Sequence, residues 1–136
     1  PELTSPLVQI SLQRQGSFGT ISSADATSLA LAITELITNA IEHGFPLEEQ
    51  EGLAPGETLT GHVWVVPDRD GDHLHVTIAD DGVGLGDQQS PGNGLGTQIV
   101  RTLVSADLAG SIQWREREGG GTEAILDVPL RPDSYD

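Results

Sequence analysis

The strongest constraint on the fold is a run of apolar residues at helical spacing in the first third of the chain. Six positions form one apolar stripe along a predicted helix: Leu29, Ile33, Leu36, Ile37, Ala40 and Ile41. The segment Ser22-Ser23-Ala24-Asp25 resembles a capping box that starts this helix. Gly44 is well placed to end it. A helix with a single apolar face needs a second layer against which that face is buried.

The second layer is predicted from segments that alternate between apolar and polar residues, as half-buried strands do. Residues 7–12 have this character, and further strands are predicted at residues 62–66, 74–79, 111–117 and 123–128. A second helix is expected from about Leu95 to Ala106. The order β-α-β-β-α-β-β predicts an α+β fold, a two-layer sandwich whose mixed, mostly antiparallel sheet carries both helices on one face.

Glycine, proline and acidic residues mark the predicted connections. Residues 46–60 are predicted to form a mobile acidic loop, and Asp68-Arg69-Asp70-Gly71 is predicted to form a hairpin turn. A long loop is expected from Asp80 to Gly94, and a turn at Glu118–Gly121. We expect one domain over residues 1–136, cut from the C-terminal part of a longer protein, because the chain has no methionine. Ordinary removal of an initiator methionine is the alternative.

Composition excludes several classes of function. All six basic residues are arginine, so the chain lacks the lysine of a P-loop, of a protein-kinase fold and of Schiff-base catalysis. The absence of cysteine excludes disulfides, thiol nucleophiles and cysteine-type metal sites. A formal net charge of −15 argues against nucleic-acid partners and anionic membranes. We therefore expect a segment that contacts neither, and we expect it in the cytoplasm because no stretch of about 18 apolar residues is present.

Glu35 and Asn39 are the first candidate functional pair. Their i, i+4 spacing puts them on one face of the predicted helix. A solvated polar face is the plain alternative, but asparagine is unfavourable inside a helix. A carboxylate beside a neutral oxygen ligand suits Mg²⁺, which usually takes few protein ligands and keeps several waters.

Two glycine-containing segments follow. Asp80-Asp81-Gly82-Val83-Gly84 comes directly after a predicted strand, where a carboxylate can accept a hydrogen bond from an exocyclic amine such as adenine N6. Gly92-Asn93-Gly94-Leu95-Gly96 opens the second helix, where exposed amides and the helix dipole suit a phosphate. An Asp-Gly turn and a flexible loop are the respective alternatives. Arg101 is a further candidate for contact with phosphate.

The histidines are less informative. His73 and His75 flank Leu74 on one strand face, an arrangement that permits a metal pair, but no third ligand is evident from the sequence. A solvated strand face is therefore the favoured interpretation. None of the four histidines resembles a phosphorylated one.

The joint pattern is more specific than its parts. Glu-x-x-x-Asn, Asp-x-Gly-x-Gly, Gly-x-Gly-x-Gly and a final Gly121-Thr122 follow one another over residues 22–130. This order resembles the GHKL ATP-binding family, which includes histidine kinases, gyrase-type ATPases, Hsp90-type chaperones and anti-sigma-factor kinases. Residues 34–45 and 94–104 are similar to sensor histidine kinases with the second type of dimerisation domain, in particular to actinobacterial kinases of the PdtaS type.

The resemblance implies a set of site residues. Asn39 coordinates Mg²⁺, and Glu35 polarises water or the phosphoacceptor. The remaining nucleotide-binding positions implied are His43, Asp80, Gly82, Gly84, Gly92, Gly94, Leu95, Gly96 and Thr122. Asp80 is the adenine-binding aspartate, and Gly92, Gly94 and Gly96 lie at the phosphates.

The function implied is that of a histidine-kinase catalytic domain that binds ATP with Mg²⁺ and phosphorylates a histidine on a separate dimerisation domain. The parent kinase would be a homodimer that passes phosphate to a response regulator. Three departures stand out: an acidic Glu42 where many relatives have a basic residue, a short lid at Leu85–Pro91, and no dimerisation helix with a phosphoacceptor histidine.

Two alternatives stay open at this point. A stand-alone anti-sigma-factor serine kinase shares the fold and a short lid. A non-catalytic interaction module would keep the fold without turnover.

Overall fold

The structure, a computed structural model, describes residues 7–46, 54, 56–86 and 94–131. Helix α1 spans Ser23–Gly44, and helix α2 spans Leu95–Thr102 and continues into a π-helical turn at Leu103–Asp107. The strands are β1 (Leu7–Arg14), β2 (Thr58–Asp70), β3 (His73–Asp80), β4 (Ser111–Glu116) and β5 (Thr122–Pro129).

These strands form one sheet in the order β1-β2-β3-β5-β4. β1 runs parallel to β2, and the other neighbours are antiparallel. Both helices contribute to one hydrophobic core that covers a single face of this sheet. The predicted fold class, an α+β two-layer sandwich with a mixed and mostly antiparallel sheet, is confirmed.

The core is built on the face of α1 that the sequence pattern identified only in part. Leu29, Leu36 and Ala40 are buried, and so is Ala32, which the predicted stripe omitted. Ile41 is 37% exposed, so its assignment to the buried stripe was wrong. The buried face therefore turns away from Ile41 and toward a polar position, Asn39, which is also buried.

The hairpin between β2 and β3 is tighter than predicted. Asp68, Arg69 and Asp70 were expected in a turn, but they extend β2 and pair with β3 as far as Asp70 opposite His73. Only Gly71 and Asp72 form the turn, and Gly71 has φ of +64°. The cross-strand ladder outweighs the weak strand propensity of these polar residues.

Two other predicted segments differ in detail. Thr58–Thr60 belong to β2, not to the acidic loop, of which residues 47–53 and 55 lie outside the described part. The second helix is α-helical only to Thr102, and a hydrogen bond from the Leu108 N–H to the Leu103 carbonyl marks the π-helical turn.

An ion pair fixes the N-terminal turn of α1 to the end of β5. Asp25 is 1% exposed and accepts hydrogen bonds from the Arg131 backbone N–H at 2.8 Å and from Arg131 Nε at 2.7 Å. Ser22 caps α1 through a bond from the Asp25 N–H, as the sequence predicted. Within the described ranges, no helix has the length and apolar character needed to cross a membrane.

Candidate functional site

A cavity of about 240 Å³ opens between α1 and one end of the sheet. Its apolar walls come from α1, β3, β4 and β5, and its polar groups come from the ends of these elements. The lining residues are Leu36, Asn39, Ala40, His43, Gly44, Ile78, Asp80, Gly84, Leu85, Trp114, Thr122 and Ala124. A cavity that combines apolar walls with convergent polar groups is typical of a small-molecule site.

Asp80 is the buried carboxylate of this cavity. It ends β3, points toward the helices and is 3% exposed. Burial raises the pKa of Asp80 above its ordinary value, although hydrogen bonds from the Gly82 and Thr122 amides and the charge of Arg117 oppose the shift. The Gly82 N–H donates to Asp80 Oδ1 at 2.9 Å. The Asp80 side chain lines the cavity, where it can accept a hydrogen bond from a bound donor.

Asp81 makes different contacts from Asp80. Its carboxylate accepts from the His62 backbone N–H at 2.7 Å and pairs with His62 Nδ1 at 2.8 Å. Burial alone would raise the pKa of Asp81, but these bonds and the imidazole hold it below its usual value. Of the two adjacent aspartates, Asp80 alone lines the cavity.

Three glycines let the backbone close around Asp80. A Cβ at Gly44 would lie 2.9 Å from Asp80 Oδ1, and one at Gly82 would lie 2.2 Å from the Gly44 carbonyl oxygen. That carbonyl accepts from the Val83 N–H at 2.9 Å. Gly121 has φ of +103°, and a Cβ there would lie 1.9 Å from the Asp80 carbonyl oxygen. Glycine is therefore required at these positions by contact and, at Gly121, also by conformation.

The structure brings Glu35 and Asn39 to the start of α2. A Cβ at Gly96 would lie 2.9 Å from Glu35 Oε2 and 3.3 Å from Asn39 Oδ1. Asn39 is 7% exposed, and its buried Nδ2 has no hydrogen-bond partner among the described residues. The solvated-face alternative is therefore wrong for Asn39. A buried amide nitrogen without an acceptor is costly unless a ligand or water supplies one.

The N-terminus of α2 faces the same region. Its first residue is Leu95, and the N-cap position is Gly94, where no side chain of the described chain caps the helix. The Gln98 N–H donates to the Gly94 carbonyl at 3.1 Å. The earlier amides of a helix have no acceptor within the helix, so they suit an anion. Gly92, which the sequence assigned to the same segment, lies outside the described residues.

Glu116 holds the loop after β3, a role that sequence reasoning missed. Glu116 Oε1 accepts from the Leu85 N–H at 2.6 Å and from the Gly86 N–H at 2.9 Å. Gly84 has φ of +85°, and a Cβ there would lie 2.8 Å from Glu116 Oε2. No signal in the sequence marks this role beyond the position of Glu116 near the end of a predicted strand.

Trp114 is the second residue that sequence reasoning missed. Its ring forms a wall of the cavity, and the Arg101 guanidinium lies 4.8 Å from the ring centroid. Arg101 thus sits in the last turn of α2, away from the helix N-terminus where phosphate binding was considered. His43 lines the cavity from the end of α1, and Thr122 lies opposite Asp80 in the β3–β5 ladder.

Residues 24–132 match the family described as histidine kinase-, DNA gyrase B-, and HSP90-like ATPase. Sensor histidine kinase PdtaS of Mycobacterium tuberculosis is 41% identical over 123 residues, which are 89% of this chain. PdtaS of Mycolicibacterium smegmatis is 38% identical over the same length. The chain spans only 23% of the length of each of these relatives.

Among solved structures, the blue-light activated histidine kinase EL346 of Erythrobacter litoralis superposes with a TM-score of 0.67 at 27% identity. The match covers 90% of this chain and 35% of that kinase. These relatives agree with the resemblance drawn from the four motifs, including its likeness to PdtaS-type kinases.

Proposed function

The chain belongs to the histidine kinase-, DNA gyrase B-, and HSP90-like ATPase family, and we propose that it binds Mg·ATP in this cavity and phosphorylates a histidine on a separate dimerisation domain. The similarity to sensor histidine kinases supports a role in two-component signalling. The chain then acts as the catalytic domain of a longer kinase.

The observation that carries this proposal is the buried Asp80 carboxylate. One of its oxygens is held by Gly82, while the side chain lines a cavity with apolar walls. Such a group accepts a hydrogen bond from the N6 amine of adenine, and a base with a carbonyl at that position would leave it unpaired. Ile78 and Ala124 supply flat apolar contact, with Trp114 at the side. Thr122 and His43 complete the nucleotide-binding set.

The donor set near α2 fits a magnesium ion with its nucleotide. Asn39 offers its amide oxygen, and Glu35 offers a carboxylate, and a Cβ at Gly96 would lie close to both. Hard oxygen ligands of this type suit Mg²⁺. When bound, the ion would neutralise phosphate charge, which matters because the chain has a formal net charge of −15 and no lysine. Gly94, Leu95 and Gly96 present amides to the phosphates in this proposal, and Gly92, which the resemblance also assigns to the phosphates, lies outside the described residues.

The proposed reaction is a phosphoryl transfer. The bond between the γ-phosphorus and the bridging oxygen breaks, ADP leaves, and a phosphorus–nitrogen bond forms at the acceptor imidazole. Glu35 polarises that imidazole, and the α2 amides hold the transferred group. The acceptor belongs to the dimerisation domain of a homodimeric parent, which passes phosphate to a response regulator in the cytoplasm. We expect no contact of this segment with nucleic acid or membrane.

The fluorescence of a tryptophan in the cavity can report nucleotide binding. Trp64 and Trp114 are the two tryptophans, and Trp64 is outside this cavity. In a Trp64→Phe background, Trp114 fluorescence should change on addition of Mg·ATP, and much less with Mg·GTP. Equal binding of both nucleotides, or binding unaffected by Mg²⁺, would contradict the site assignment.

The catalytic step needs a second assay. Mixing the chain with the dimerisation domain of its parent and labelled ATP should produce acid-labile, alkali-stable phosphate on that domain, whereas the chain alone should produce none. Acid-stable phosphoserine on a protein partner would instead support the anti-sigma-factor kinase alternative. Nucleotide binding with no transfer to the parent domain would support a non-catalytic module.

A further inference from the structure

Three metal-ligating side chains meet on the face of the sheet opposite the helices. Leu74 and Val76 of β3 are fully buried in the core, so the alternating residues His73 and His75 lie on the opposite face. Asp127 of β5 lies directly across from His75 in the antiparallel ladder. The sequence had suggested a histidine pair without a third ligand, and the strand order supplies that ligand.

The ligand atoms of these three side chains lie close to one another. His73 Nε2 is hydrogen-bonded to Asp127 Oδ1, and His75 Nε2 lies 3.3 Å from Asp127 Oδ2. One ligand atom from each of the three residues lies within 4.8 Å of the others. In a tetrahedral site with bonds of about 2.1 Å, ligand atoms stand about 3.4 Å apart. Small side-chain rotations therefore suffice to bring the three groups to coordination distances.

We propose that His73, His75 and Asp127 form a binding site for a divalent transition-metal ion of the Zn²⁺ type. Two imidazoles and one carboxylate are a favourable ligand set for Zn²⁺, whereas Mg²⁺ prefers oxygen ligands alone. The side chains are 43%, 49% and 43% exposed, respectively, so water has access as a fourth ligand. This site is separate from the nucleotide cavity and does not depend on the proposed kinase function.

The surrounding charge favours a cation at this position. Asp68 of β2 lies across from His75 on its other side, and Asp70 lies across from His73. The chain as a whole has a formal net charge of −15. A bound ion would add a bridge between β3 and β5, and a ligand that binds only the folded state raises its stability.

The test uses Zn²⁺ alone, with the chain free of any affinity tag. Isothermal titration should give one Zn²⁺ per chain, and thermal unfolding should show a higher Tm with Zn²⁺ than with Mg²⁺. His75→Gln and Asp127→Asn should each weaken the affinity at least about tenfold and abolish the Tm increase. His62→Gln, which removes a histidine outside the cluster, is the matched control and should keep both effects.

A spectroscopic measurement covers variants that fold poorly. Co²⁺ bound to the folded parent chain should give the visible absorption of a four-coordinate ion, and excess Zn²⁺ should remove it. Binding that is non-saturable, or equally strong in Asp127→Asn and in the parent, would overturn the proposal and leave ordinary His–Asp ion pairs. Zn²⁺ binding that persists in Asp80→Asn would show that the site is independent of the nucleotide cavity.

Discussion

Gly96 lies against Glu35 so closely that a Cβ at Gly96 would stand 2.9 Å from Glu35 Oε2. The contact joins the first turn of α2 to the polar face of α1, and it involves the free end of a flexible side chain and no backbone atom. The stability of the fold and the geometry of the proposed site can therefore be perturbed separately at this point.

Gly96→Ala should weaken nucleotide binding without unfolding the protein. The new methyl group displaces the Glu35 carboxylate, while the higher helix propensity of alanine offsets the cost of the shift. We expect the free energy of unfolding to change by less than about 0.5 kcal/mol, and Mg·ATP affinity to fall about tenfold, a loss of about 1.4 kcal/mol. Thr102→Ala, at an exposed position of the same helix, should leave both unchanged.

Asn39→Ala should reduce the dependence of nucleotide binding on metal. The variant removes the amide oxygen proposed to hold Mg²⁺, so affinity for Mg·ATP should drop by about tenfold, while affinity for metal-free ATP changes little. Titrations with and without Mg²⁺ measure the difference. Thr38→Ala, at the neighbouring exposed position, is the control. An equal loss in both titrations would argue against Asn39 as a metal ligand.

Asp80→Asn should weaken adenine binding and stabilise the empty protein. A hydrogen bond to a charged acceptor is worth about 2 kcal/mol, so affinity should fall roughly thirtyfold. Burial raises the pKa of Asp80 in the folded state, so ionisation of this carboxyl at neutral pH lowers the free energy of unfolding. This loss of stability disappears at pH values below 3.8, the pKa of the carboxyl in the unfolded chain. Denaturation at pH 7 should therefore find the variant more stable than the parent. A less stable variant would contradict this explanation.

Gly121→Ala should destabilise far more than Gly120→Ala. Both glycines have positive φ, which costs an alanine about 1–2 kcal/mol. At Gly120 nothing lies within 4 Å of an added Cβ, whereas at Gly121 the Asp80 carbonyl oxygen is 1.9 Å away. The clash adds a backbone displacement, so we expect a total loss above about 3 kcal/mol for Gly121→Ala, measured by urea denaturation. Similar losses for the two variants would rule out the steric argument.

Asp25→Asn should make the stability of the protein less sensitive to acid. Burial alone would raise the pKa of Asp25, but its hydrogen bonds and ion pair with Arg131 lower it overall. The contribution of Asp25 to the free energy of unfolding is therefore fully present at pH values above 3.8, its pKa in the unfolded chain. It is lost as the pH falls through the lower pKa of Asp25 in the folded protein. The parent should exceed the variant in Tm by a few degrees at pH 7, and the gap should narrow below pH 4. Glu118→Gln, in an exposed turn, should show no such convergence.

The sequence predicted most of the fold because its elements carry local signals. The helical stripe of α1, the Ser22 cap and the alternating strands all depend on neighbouring residues. The Asp68–Asp70 segment was misassigned because its strand conformation comes from the cross-strand ladder to β3. Ile41 was misassigned because periodicity alone does not determine which residues lie at the edge of a buried face.

Residues of the candidate site were singled out from the sequence only where motifs mark them. Asp80, Asn39 and the residues of α2 stand in glycine-rich or polar runs, so the sequence singled them out. Trp114, Glu116 and Asp127 lie on strands without any such run, and their partners are distant in sequence. Which residues they meet is decided by the strand order, which periodicity does not encode.

That strand order also determines when each strand can pair with its neighbour during synthesis of the chain. β5 is the last strand of the described chain, yet it lies between β3 and β4. On the ribosome, β4 therefore emerges with no strand to pair with, and the unpaired edges of β3 and β4 stay exposed to other chains until residues 122–129 follow. A nascent chain arrested before Thr122 would hold Asp80 without its opposite neighbour, so the proposed ability to recognise adenine requires residues 122–129 to have been synthesised.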